Sequence, residues 1–185
     1  FLGDPYRLIQ KRVEVFPTVF LPIDYGESRP HERDKWTALA SINHAFVGVN
    51  GALEASYRFY HDTFGSRAHT IETAWFQSFG DHVIVSPSVR YYEQNAADFY
   101  LISLNGQGFT PSFFPNSAGP FYSSDYRLSA FRSYNVGLKV IWKINATWQI
   151  DVAVEQYKME GRDGITSPSA YPTATTKTVG LKYTW

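Results

Sequence analysis

Residues 175–185 read TTKTVGLKYTW, with Val179, Leu181, Tyr183 and Trp185 at every second position and Lys182 and Thr184 between them. Side chains of a β-strand point alternately to its two faces, so this spacing predicts a strand with one apolar and one polar side. A soluble domain more commonly ends in a frayed polar tail, whereas this stretch reads as the interior of a sheet.

Working outward, the same rule recurs in segments of roughly ten residues, the length of a tilted membrane-spanning strand. In 148–157, Trp148, Ile150, Val152 and Val154 oppose Asp151, Ala153 and Glu155; in 134–142, Val136, Leu138, Val140 and Trp142 oppose Gly137 and Lys139. Residues 82–94 set Val83, Val85, Val89 and Tyr91 against Ser86, Ser88, Arg90 and Tyr92, and 69–79 set Ile71, Thr73 and Trp75 against Thr70, Glu72 and Ala74. Residues 52–60 place Leu53, Ala55, Tyr57 and Phe59 opposite Glu54, Ser56, Arg58 and Tyr60, and 36–47 alternate weakly. These are seven clear strands. Residues 12–21, with Val13, Val15, Val19 and Leu21, form a candidate eighth, weakened by Pro17.

Composition narrows the classes. A length of 185 residues fits a single domain over 1–185. Lysine plus arginine equals aspartate plus glutamate at 17 each, which leaves no net field to attract nucleic acid. The 13 tyrosines and 14 phenylalanines favour strands and surfaces that are apolar at one end and wet at the other. With no cysteine, disulfides, thiolate metal sites and cysteine nucleophiles are excluded. No run of 18 apolar residues exists for a helical membrane span. Met159 is the only methionine, so further sequence is expected upstream of Phe1.

The connections decide the architecture. Short links are predicted at Gly48 to Gly51, at Gly80-Asp81 and at Lys143 to Thr147; long ones at 61–68, 95–126 and 160–174. Alternation of short and long links, with Phe46, Phe79, Trp142, Trp148 and Trp185 at the short-turn ends and Trp36, Phe59, Tyr91 and Tyr157 near the others, predicts a transmembrane antiparallel up-and-down β-barrel with two aromatic girdles. Its lumen-lining residues are then Glu54, Arg58, Glu72, Arg90, Lys139, Asp151, Glu155 and Lys182, with balanced signs for mutual pairing. An inverted, water-soluble barrel shows the same alternation, and the aromatic ends are what favour the membrane. Arg132 shares parity with Val136 and Leu138, which predicts a bulge near it or a place close to the outer interface.

YRFYHDTFGSRAHTIETAWFQSFGDHVIVSPSVRYYEQNAADFY (57–100), preceded by GDPYRL (3–8) and ESRPHERDKW (27–36) and followed by SSDYRLSAF (123–131), resembles a family of bacterial outer-membrane β-barrel proteins of uncharacterised function. The likeness runs from Gly3 onward and is most specific at Tyr57 to Asp62, His69-Thr70, Arg90 to Gln94, Ala96 to Tyr100 and Asp125 to Ala130. It implies a barrel of about twice this length in the outer membrane, of which this chain is the C-terminal portion, with N-terminal strands absent here. It also implies an assembly signal at Val179, Leu181, Tyr183 and Trp185 for the barrel-assembly machinery, although family members end in phenylalanine, and Lys177 is a second departure. Periplasmic thioredoxin-like proteins and flavin-attaching enzymes are often associated with the family, which implies redox partner proteins and implies nothing about a cofactor in the barrel itself; no cofactor is expected.

For chemistry the residues offer little. His61, Asp62 and His69 flank one hairpin loop and could converge on a metal ion, but a solvated loop tip explains them at lower cost. No serine sits in a nucleophile motif, and the carboxylates lie among basic partners, so no enzyme activity and no catalytic residue is expected. The segment 95–126 carries Phe99, Tyr100, Phe109, Phe113, Phe114, Phe121 and Tyr122, too much apolar surface to float in water. It is expected to fold inward as a constriction or to pack on other loops or a partner. The expected function is a porin-like passive channel narrowed by this loop; the alternative is a non-conducting structural barrel that anchors or encloses a redox assembly.

Overall fold

A half-apolar strand needs a partner on each edge for its backbone and a cover for its greasy face. In the computed structural model, which describes residues 8–112 and 118–185, the partners are the neighbours in sequence. β1 (Leu8–Phe16) and β2 (Val19–Gly26) form a separate hairpin. β3 (Lys35–Phe46), β4 (Gly51–Asp62), β5 (Arg67–Phe79), β6 (Val83–Gln94), β7 (Phe131–Lys143), β8 (Trp148–Gly161) and β9 (Thr173–Tyr183) form one sheet in that order. Every strand pairing within this sheet is antiparallel, so the protein is an all-β up-and-down array. Helix among the described residues amounts to three 3-10 turns at Val47–Val49, Tyr126–Leu128 and Pro168–Ala170.

The register carries the apolar sets into rows. Val85 faces Val140, Val140 faces Val152 and Val152 faces Val179, a valine ladder across four strands. Next to it Phe79, Val83, Trp142, Ile150 and Leu181 form a second row. Pairing of β5 with β6 skips from Ala74↔Ser88 to Gln77↔Val85, next to Pro87, whose ring nitrogen cannot donate to the ladder. The short turns fall where Asn-Gly and Gly-Asp predicted them: Asn50 and Gly80 adopt positive φ, 50° and 59°.

Three expectations need correcting. Residues 12–21 are not one strand, because the chain reverses at Pro17-Thr18, with Thr18 at φ 72°, and the two halves pair with each other. The link 61–68 is not long: pairing runs on to His61↔Arg67, leaving only 63–66 as a turn. It closes tightly because the Asp62 carboxylate accepts from the Phe64 and Ser66 amides at 2.9 and 3.1 Å. Tyr157 does not join the outer aromatic set; it pairs with Asn135 on the charged face. Arg132 lies at the long-loop end of β7 with unbroken register on both sides, so no bulge is needed.

The buried core is displaced from the sheet into the layer of loops above it. Phe64, Ala97, Phe99, Tyr100 and Leu128 form one cluster, and Ile9, Tyr25, Leu104 and Tyr122 a second. The latter fastens the β1–β2 hairpin to the β6–β7 connection. Phe131, Met159 and Tyr171 form a third. The aromatic residues predicted to leave water do so here, by packing on neighbouring loops; Phe113 and Phe114 lie outside the described residues.

Candidate functional site: the charged face and its loop cover

All eight residues predicted to share the polar side do so. Arg58 pairs with Thr70, and Glu72 with Arg90, which faces Asn135; Glu155 faces Gly137, Lys139 faces Ala153, and Asp151 lies between Ile141 and Gly180, two residues from Lys182 along β9. Glu54 occupies the same face, two residues from Ser56 and four from Arg58 along β4. Period 2 alone fixes this, since register slips by one residue would have sent each strand's set to the other side.

Not all of them touch. Glu72 and Arg90 form an ion pair at 3.0 Å, and Lys139 reaches Asp151 at 3.3 Å. Glu155 accepts from the Asn135 amide at 3.1 Å, and Arg58 donates to the Thr70 hydroxyl at 3.3 Å. Glu54, Glu72, Arg90 and Asn135 line a cleft of about 310 Å³ on this face. Lys182 stands apart at the short-turn end, exposed. Gly137 and Gly180 make room: a Cβ on the first would sit 2.7 Å from the Ser88 hydroxyl, and on the second 2.6 Å from the Asp151 carboxylate.

Burial is inverted relative to a water-soluble sheet. Thr70, Ser86 and Ser133 on the charged face are 3, 5 and 7% exposed, while Val152 and Val179 on the apolar face are 50 and 75% exposed. Among the described residues, nothing covers the apolar rows described above.

The top of the charged face is closed by loop residues that composition did not single out. The Gln94 side-chain amide donates to the carbonyls of Arg127 and Ser129 at 2.9 and 2.8 Å, and the Ser129 hydroxyl meets the Tyr171 phenol at 2.8 Å. Tyr171 lies on Phe131 and against Gly161, where a Cβ would come within 2.4 Å of its ring. Two buried carboxylates hold the layer. Asp62, fully buried, takes Arg33 at 2.6 Å and the Tyr60 phenol at 2.6 Å besides its two backbone amides. Asp125 is gripped by Arg127 at 2.7 Å and by Arg29 at 2.9 Å. Burial pushes the Asp125 carboxyl up, but the Arg127 side chain and amide and the Arg29 guanidinium outweigh it and hold it below the ordinary carboxylate range. Burial also raises the Tyr100 phenol, against its hydrogen bond to Thr166.

The signal for these anchors was present in the sequence as the Asp125-x-Arg127 spacing and the arginines of ESRPHERD, in the stretches that carry the family resemblance. What was missing was any way to know that the arginines reach across 29 and 96 positions.

The histidine set does not assemble. Asp62 belongs to the charged side and is saturated, while His61 stacks on Trp36 at 5.7 Å and His69 Nδ1 meets the Tyr57 phenol at 2.7 Å on the opposite side. No group of three or more metal-ligating His, Cys, Asp or Glu side chains occurs among the described residues. Outside the sheet's apolar rows, Arg132 pairs with Glu160 at 3.0 Å, and Glu160 also takes Lys158, while Arg162 pairs with Glu93. These charges band the loop end of the apolar side. Val179, Leu181 and Tyr183 lie on that apolar side, and Trp185 follows beyond the end of β9.

A family model described as a protein of unknown function, DUF3570, matches residues 1–185. No curated protein and no solved structure matches.

Proposed function

For this chain, which belongs to the family of unknown function DUF3570, we propose an outer-membrane β-barrel that acts as a porin-like passive channel, its mouth narrowed by the β6–β7 connection. The observation that carries this reading is the pattern of burial: the apolar rows are exposed, while Thr70, Ser86 and Ser133 on the charged face are buried. A contiguous apolar surface of this extent needs a cover, and lipid provides one of the right thickness. Strands of 11–14 residues, at about 3.3 Å per residue and a tilt near 45°, span roughly 26–33 Å, close to the hydrocarbon core.

On this reading Glu54, Arg58, Glu72, Arg90, Lys139, Asp151, Glu155 and Lys182 line the lumen, and pairs such as Glu72–Arg90 leave it weakly selective. Val179, Leu181, Tyr183 and Trp185 face lipid and are offered to the assembly machinery. The charge band of Glu93, Arg132, Lys158, Glu160 and Arg162 sits at the headgroup level of the outer side. Single-channel recording of the full polypeptide in a planar bilayer tests the channel: discrete steps support it, and a membrane that stays closed at all voltages sinks it.

One observation favours a second reading. Gln94, Ser129, Tyr171 and Phe131 bring the loop layer down onto the charged face, and a lid of this kind that never opens would make a non-conducting structural barrel. The same recording separates the two.

A further inference from the structure

We infer that the charge band on the apolar side is a binding site for a phosphate-bearing lipid, its headgroup held by Arg132, Lys158 and Arg162 with Arg67 beside them, and its chains laid on the adjoining apolar rows. This rests on the membrane part of the proposed function, not on conduction, and adds to it the chemistry of the lipid.

The register builds the site. His69, Glu93, Arg132 and Glu160 stand opposite one another across β5 to β8, and the next row away from the loops is Tyr57, Ile71, Tyr91, Tyr134 and Lys158. Beyond that row Val89 faces Val136, both about half exposed. One step toward the loops, the Asn95 amide donates to the Arg67 carbonyl and the Arg162 amide to the Ala130 carbonyl, which sets Arg67 and Arg162 in one further row. Charge, phenol and hydrocarbon thus succeed one another along the strands, in the order in which a lipid presents phosphate, interface and chain.

The charges do not cancel. Four cations meet two carboxylates, Glu93 and Glu160, which leaves two positive charges. Arg132 and Lys158 share Glu160, and Arg67 is exposed with no ion-pair partner among the described residues. In every pair the cation is the outer member: the Arg132, Lys158 and Arg162 side chains are 43, 59 and 45% exposed, against 30% for Glu160 and 33% for Glu93. Arg132 gives Nε and Nη2 to Glu160 and lies over the Tyr134 ring at 5.7 Å, so its remaining donors are left for an acceptor outside the chain. Two further carboxylates near Arg67 do not fill this role: Asp62 is taken by Arg33, and Asp98 lies over Gly65 in the loop layer. The phosphate is accordingly placed on the β7–β8 side of the band. A soluble anion would use the donors alone, whereas the adjoining phenols and valines match a ligand that carries acyl chains.

Native mass spectrometry of the full polypeptide, equilibrated in detergent with equal amounts of dioleoyl phosphatidate and dioleoyl phosphatidylcholine, tests this. A cation at the membrane surface changes affinity for an anionic lipid about five-fold, so two net charges should favour phosphatidate about 25-fold. K158Q/R162Q removes both and should bring the two lipids to equal retention. E160Q removes a carboxylate and should raise the preference about five-fold further, a gain that misfolding cannot produce. Inorganic phosphate in excess should not displace the lipid; if it does, the band reads a free anion and the lipid assignment is overturned. Equal retention of the two lipids by the unmodified protein, or a preference that neither variant moves, overturns this inference while the membrane reading stands. A protein that retains neither lipid and stays folded and monomeric without detergent overturns both.

Discussion

Glu72 and Arg90 face each other directly across β5 and β6 and join at 3.0 Å, with both side chains close to half exposed. An ion pair so well solvated contributes about 0–1 kcal/mol to stability, so its consequence is local field, not folding. If the protein conducts as proposed, E72K should leave its melting behaviour unchanged and shift the reversal potential in a salt gradient toward anion preference. The exchange E72R/R90E should return it to the starting value. A large drop in thermal stability with no change in reversal potential would remove these residues from the conduction path.

Asp62 is the opposite case. Its carboxylate is fully buried and accepts from Arg33, Tyr60 and two backbone amides, so D62A leaves several donors unmatched. Arg33 retains about a third of its exposure and can rehydrate, which places the loss near the low end for a broken buried pair, about 3 kcal/mol. The expected readout is a lower temperature for the shift between folded and unfolded gel mobility, with earlier proteolysis in 63–66 and 95–112. An unchanged transition would contradict the role given to Asp62.

Asp125 makes the loop layer acid-sensitive in a defined window. Its carboxyl is held below the usual value when folded, so the contribution is complete above the unfolded value of about 4 and disappears as pH falls through the lower folded value. Limited proteolysis of the β6–β7 connection should show constant protection from pH 7 to about 4.5 and loss only in stronger acid. Loosening between pH 7 and 5 would point to another group.

Tyr171 rests where Gly161 has no side chain, and a Cβ there would lie 2.4 Å from the ring. G161V should push Tyr171 off Phe131 and Ser129 and free the lid from the charged face. In the channel reading, conductance rises; if the barrel is permanently closed, conductance stays at zero while the loop still becomes protease-sensitive.

The sheet was legible because alternation is a one-dimensional signal: Val136, Leu138, Val140 and Trp142 name both a strand and its face without reference to anything distant. The eight charged positions followed for the same reason. The β1–β2 hairpin was not legible, because Phe16, Phe20 and the residues around Pro17 are apolar on both sides and blur the period. The loop cover was hidden more deeply. Arg33–Asp62, Arg29–Asp125 and Gln94–Ser129 join residues 29, 96 and 35 positions apart, and no local spacing encodes which arginine meets which carboxylate. Tyr157 was misassigned by its level along the strand when its odd number already placed it opposite Val152 and Val154.

The inverted surface is the center of this account, and cysteine labelling in lipid reads it directly. Val152 and Val179 are half or more exposed on the protein, so a cysteine at either position would react readily in water. With the full polypeptide in vesicles, V152C and V179C should resist a water-soluble maleimide until the protein is denatured, because lipid covers them. Rapid labelling of both in the folded, vesicle-bound protein would mean that water, not lipid, meets the apolar rows, and would contradict the membrane barrel.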